Sequence, residues 1–91
     1  MNSTQLADYP QRQHAWQAAI DAAEKHVKIG MGLQSQGGGM LKDGEDERLT
    51  AEQALKLLQQ GVSIIEKGVK IERDARDKLL VLYEQQPRPT K

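Results

Sequence analysis

Apolar residues recur through most of this chain at helical intervals, in two runs separated by one short polar interval. In the second run Ala54, Leu55, Leu57, Leu58, Gly61, Val62, Ile64, Ile65, Gly68, Val69, Ile71, Ala75, Leu79, Leu80 and Leu82 all belong to one broad stripe. At about 100° per residue these positions fan across roughly 200° of a helix, whereas a stripe facing one neighbour needs about 100° or slightly more. The surplus predicts contacts beyond a single partner helix, most economically with other copies of the same chain. In the first run Trp16, Ile20, Ala23, Val27, Gly30, Gln34, Gly37 and Leu41 alternate steps of four and three. A neighbouring row holds Ala22, His26, Ile29, Leu33 and Met40.

Local signals set the boundaries. Asp8 can cap a helix start, and Pro10 needs no amide partner in a first turn, which predicts a helix over residues 10–41 after a flexible leader, 1–9. Gly37, Gly38 and Gly39 each cost roughly 1 kcal/mol relative to Ala inside a helix. They either end the first helix or stay helical because packing demands small residues. Gly44 and the acidic run Asp43–Glu47 place the turn at 42–49. The second start is clearer: Thr50 can cap, Gln53 can reach back to complete a capping box, and Leu49 can pack on Ala54. A helix is predicted over 50–86, followed by a disordered tail, 87–91, with Pro87 and Pro89 in a polar context. A connection this short makes the helices antiparallel neighbours. The expected fold is all-α: an antiparallel helical hairpin of two long helices that assembles into an oligomeric bundle or ring.

Small residues recur at seven-residue intervals in both runs. Gly61 and Gly68 lie in line with Ala54 and Ala75, and Gly30 and Gly37 repeat the interval in the first run. Such rows permit close backbone approach; the plainer reading is that scattered glycine only lowers helicity. Trp16, Ile20, Val27 and Gly30 are the expected helix–helix packing residues. Leu58, Gly61, Val62, Ile65, Gly68, Val69, Ile71, Glu72, Arg76 and Leu79 are the expected oligomer interface. Glu72 and Arg76 have the i, i+4 spacing of an ion pair, either an exposed intrahelical pair or, with Arg73 beside it, a pair that fixes register between copies.

Composition strengthens this picture. The 91 residues include no Phe, one Trp and two Tyr, too few large side chains for a substantial private core in so small a chain. The absence of Cys removes disulfides and every zinc pattern that needs a thiolate. Oligomerisation is the remaining way to add buried surface. Thirteen basic and thirteen acidic side chains balance, so no global field draws nucleic acid or an anionic membrane. Residues 1–7 have no apolar signal core, and no window approaches the roughly 18 apolar residues of a membrane span. A cytoplasmic protein without membrane association is expected.

Catalytic chemistry finds little to work with. His14 and His26 lack the partners of a metal site. Asp43, Glu45 and Glu47 alternate as calcium-loop ligands do, but Ala54 stands where the bidentate Glu belongs and Arg48 where the central Gly belongs. The glycines from Gly30 to Gly39 are followed by no Gly-Lys-Ser/Thr, so a phosphate loop is unsupported. Ser35 and Ser63 have no activating neighbour. No enzyme activity, cofactor or metal is expected.

Three segments carry a family resemblance: Glu24-Lys-His-Val-Lys-Ile-Gly-Met-Gly-Leu-Gln-Ser-Gln36, Leu49-Thr-Ala-Glu-Gln-Ala54 and Gly68-Val-Lys-Ile-Glu-Arg-Asp-Ala-Arg76. Over roughly residues 16–78 the chain resembles the helical oligomerisation region of phage small-terminase-like DNA-packaging proteins. The resemblance implies a helical hairpin that forms rings, contacts to an ATP-driven large subunit, and a phage-infected or prophage-bearing bacterial host. Val69, Ile71, Glu72, Arg73 and Arg76 would then sit in the assembly region. Such proteins place DNA recognition in a preceding helix-turn-helix, and residues before 16 show none. The chain reads as the oligomerisation part of a longer protein or as a small relative whose partner supplies the rest.

The leading expectation is therefore a homo-oligomeric assembly module. A second is a binding module, antitoxin-like or inhibitor-like, that covers its apolar face with a different protein. A third, direct nucleic-acid binding through Lys25, Lys28, Lys42, Lys67, Lys70, Arg73 and Lys78, is opposed by the interspersed acids and the shortage of aromatic stacking residues.

Overall fold

A computed structural model describes residues 3–88, with side chains from residue 8 onward. Helix α1 spans Ser3–Asp43 and helix α2 spans Ala51–Glu84. The two pack against each other, and the described residues contain no strand.

The second start forms as its sequence dictates. Thr50 Oγ1 accepts from the Gln53 amide at 3.1 Å, and Gln53 Oε1 accepts from the Thr50 amide at 3.0 Å, so two otherwise unpaired donors are satisfied reciprocally. The turn before it is tied by Asp46, whose carboxylate accepts from the Arg48 amide at 2.9 Å and from the Arg48 guanidinium at 2.7 Å. That guanidinium holds the exposed Asp46 carboxyl below its ordinary range.

Two boundaries differ from the sequence expectation. Helix α1 begins at Ser3, so the segment expected as a flexible leader is helical from that residue; Met1 and Asn2 lie outside the described residues. Pro10 sits inside the helix. Proline holds φ near −65°, a helical value, but it lacks the amide for one backbone bond and its ring crowds the carbonyl four residues back, so the turn before Pro10 is a costly one. At the other end α1 runs through Gly37, Gly38 and Gly39 to Asp43, and α2 stops at Glu84. Residues 89–91 of the expected tail lie outside the described residues.

The glycines explain why α1 continues. Gly30 lies against Gly68 and Gly37 against Gly61, all four buried. A Cβ placed on Gly30 would lie 2.7 Å from the Gly68 carbonyl oxygen, and one on Gly37 2.7 Å from that of Gly61. No side chain fits at these points, so the backbones touch. The same antiparallel register sets Ala23 level with Ala75, both buried, and Trp16 level with Leu82. A row of small residues on α1 thus meets a row of small residues on α2, and the cost of glycine in a helix is offset by close approach.

Trp16 closes the open end. Its indole Nε1 donates to the Leu82 carbonyl at 2.6 Å, which also accepts from the C-cap amide of Gln85 at 3.1 Å, and its ring meets Tyr83 edge to face at 6.3 Å. Trp16→Phe, which removes the donor and trims the bicyclic indole to a single ring, is expected to lower stability by at least about 1 kcal/mol. Urea unfolding of the two proteins measures it; equal midpoints would show that the bond contributes nothing.

The hairpin is a rod of 70 × 15 × 12 Å with a radius of gyration of 20.9 Å. A compact chain of this length would have a radius of about 12 Å. Among the described residues the buried apolar side chains are Ile20, Ala23 and Ala75. Most of the larger apolar side chains therefore remain at the surface.

Candidate assembly face

Since α1 occupies the row Ala54, Gly61, Gly68 and Ala75 on α2, the larger apolar residues fall on either flank of that row. On one flank, called the front face here, Leu55, Leu58, Val62, Ile65, Val69, Glu72, Arg76, Leu79 and Tyr83 follow one another in alternating steps of three and four. Leu55, Val62 and Tyr83 are each about half exposed, and Leu58 and Val69 somewhat less. From α1, Val27 and the exposed Met31 join them, lining a groove with Arg76 and Leu79. The opposite flank is narrower: Ile71 lines a groove with His26, Ile29, Asp74 and Lys78, and Ile64 another with Met40.

One polar cluster interrupts the front face. Arg76 Nε donates to Glu72 Oε2 at 2.7 Å, and Gln34 Nε2 donates to Glu72 Oε1 at 2.7 Å and to the Gly30 carbonyl at 3.3 Å. Close contact at Gly30 and Gly68 brings Gln34 within reach of Glu72 across the helix pair. Arg76 chiefly, and Gln34 second, hold the Glu72 carboxyl below its ordinary value of 4.5. A carboxyl whose pKa falls on folding contributes stability that is complete above 4.5 and is lost as pH falls through the lower folded value. Glu72→Gln is therefore expected to melt below the parent at neutral pH and level with it in acid. The gap is small and shrinks with salt, because the Arg76 side chain is 56% exposed. Thermal unfolding of both from pH 7 to about pH 3 checks this; a gap that persists unchanged in acid would exclude the charge as its cause.

The expected interface residues separate into two groups. Leu58, Val62, Ile65, Val69, Glu72, Arg76 and Leu79 share the front face. Gly61 and Gly68, expected between copies, are buried against Gly37 and Gly30 of α1 within the hairpin. Ile71 lies on the opposite flank. Of the expected packing residues, Ile20 and Gly30 are buried, Trp16 bonds across to α2, and Val27 is half-buried at the edge of the front face. Leu55, Met31 and Tyr83 lie outside the expected interface residues. Tyr83 was legible as the next step of four after Leu79.

Fully burying a Val or Leu side chain is worth roughly 1.5–3 kcal/mol, so covering half-exposed ones yields on the order of 1 kcal/mol apiece. Six such residues on one face represent a large driving force for a rod with so small an interior. Among the described residues no group of His, Cys and acidic side chains is arranged to hold a metal ion, and no helix is long and apolar enough to cross a membrane.

Comparison with models of known protein families, with curated proteins and with solved structures gives no match.

Proposed function

We propose that this chain is a non-enzymatic assembly module whose hairpin self-associates through the front face, in a cytoplasmic setting. The observation that carries the proposal is the row from Leu55 to Tyr83, in which Leu55, Leu58, Val62, Val69 and Tyr83 stay exposed although α2 packs along α1. A hairpin that joins its helices through glycine and alanine keeps its larger apolar side chains free for another surface. The resemblance to the oligomerisation region of phage small-terminase-like proteins agrees with this reading. It extends the proposal to a role in DNA packaging, with a large subunit or another protein as a further partner. Glu72 and Arg76, opposite charges one turn apart within the apolar row, suit a face that recognises its own copy.

Association coupled to folding makes the unfolding midpoint depend on protein concentration. Thermal unfolding followed by circular dichroism from about 2 to about 200 μM is expected to show a midpoint that rises throughout the series. A midpoint independent of concentration, with a scattering mass of one chain, would contradict self-association. Recovery of the chain only together with a different protein would favour the binding-module alternative.

A further inference from the structure

We propose that the last turn of α1, residues 40–44, is a strap that unwinds and lifts from α2 while the rest of the hairpin stays closed. The pivot is Gly38–Gly39. Glycine weakens a helix relative to alanine because its backbone regains more freedom on unwinding than that of any other residue. At Gly37 the weakness is offset by contact, since the Gly61 backbone leaves no room there for a side chain. Gly38 and Gly39 have open space where a Cβ would lie, so packing within the hairpin requires neither of them to be glycine. Two adjacent weak points without a packing role thus sit where α1 has about one turn left to run before it ends at Asp43.

Little holds the strap down compared with the remainder of α1. Beyond the pivot Leu41 lies over Gly61, Gly44 lies against Leu58, and Met40 lines a shallow groove with Ile64. The buried residues Ile20, Ala23 and Ala75 and the Trp16–Leu82 and Gln34–Glu72 hydrogen bonds all lie on the other side of Gly37. A segment with few buried apolar contacts opens at a lower free energy than the body it joins. The far end of the strap is anchored independently of α1. There the Asp46–Arg48 pair ties the turn, and the Thr50–Gln53 capping box holds the start of α2. Lifting therefore breaks backbone bonds such as that from the Gly44 amide to the Met40 carbonyl, 2.9 Å, and leaves α2 helical from Ala51. It uncovers Leu58 and Gly61, so the strap controls access to the first turns of α2.

Amide hydrogen exchange of the full chain, followed residue by residue by NMR at neutral pH, tests the strap whether or not the chain self-associates. After correction for intrinsic rates, the amides of residues 40–44 are expected to share one rate, at least about tenfold faster than those of residues 24–34. The double substitution Gly38→Ala, Gly39→Ala introduces no clash and is expected to slow residues 40–44 by about tenfold or more. Gly32→Ala, equally free of clash but outside the strap, is expected to leave their rate unchanged, because lifting the strap does not unwind α1 at Gly32. Equal protection on the two sides of Gly38 would overturn the proposal. Rates that climb one residue at a time toward Asp43 would also overturn it, since they describe ordinary fraying of a helix end. So would a slowing of residues 40–44 by Gly32→Ala comparable to that of the pair, since exchange would then proceed through unfolding of the whole hairpin.

Discussion

Gly68→Ala is expected to lower the unfolding midpoint, whereas Gly38→Ala, the same change in the same kind of helix, raises it. Intrinsic helix preference favours Ala over Gly by roughly 1 kcal/mol, partly through the unfolded chain, and by itself makes both substitutions stabilising. Gly38 has open space where its Cβ would go, as do Gly32 and Gly39. At Gly68 the new carbon would lie 2.6 Å from the Gly30 carbonyl oxygen and 3.0 Å from the Gln34 amide nitrogen. Those are backbone atoms, so the helices must separate along the seam. Overpacking of this kind costs about 1–3 kcal/mol and outweighs the gain in propensity. In a chain this small, each kcal/mol moves the midpoint by about 4–8 °C. Gly30→Ala, which meets the Gly68 carbonyl at 2.7 Å, should behave like Gly68→Ala. Circular dichroism melts of the three variants test the seam; a rise for all of them would mean that the helices do not touch at the glycines.

The second large effect is expected from Val69→Asp. Val69 lies at the middle of the front face and is 38% exposed in the lone hairpin, so an aspartate there can reach water and helicity is retained. Once a second chain covers the face, the same carboxylate is buried beside Glu72 without a partner of its own. A loss of several kcal/mol per copy follows from the missing apolar contact and the buried charge, weakening assembly more than 100-fold. Lys70→Asp, one position along on the polar side, changes the net charge by two units rather than one and is still expected to leave the assembly intact. Sedimentation or light scattering at matched concentration separates the two. An unchanged mass for Val69→Asp would show that the front face stays in water.

Much of the hairpin could be read from local patterns. Thr50 and Gln53 announce the start of α2, and seven-residue intervals of small residues in both runs indicate close contact. Other features depend on depth, which a helical wheel does not contain. The stripe on α2 gives the angle of each side chain but not which arc meets α1, so Gly61 and Gly68 fell in with the expected intermolecular contacts. Size makes the distinction: a glycine row lets backbones touch and is consumed by the nearest helix, while Val62 and Val69 stand clear of it. Gln34 was visible as a polar residue within an apolar row of α1. Its role emerges only once the register sets it against Glu72, 38 positions away in sequence. The early start of α1 is not legible in the sequence because Pro10 has the features of a first-turn residue, and nothing local signals that the helix extends before it.

Light scattering coupled to size exclusion, over a dilution series of the unmodified chain, tests the central claim most directly. Scattering gives mass independently of shape, which matters for a rod 70 Å long. A discrete species at a whole multiple of 10.2 kDa that persists on dilution is the expected result. A helical, folded species of 10.2 kDa at every concentration would contradict the claim that the exposed row of α2 is covered by another copy.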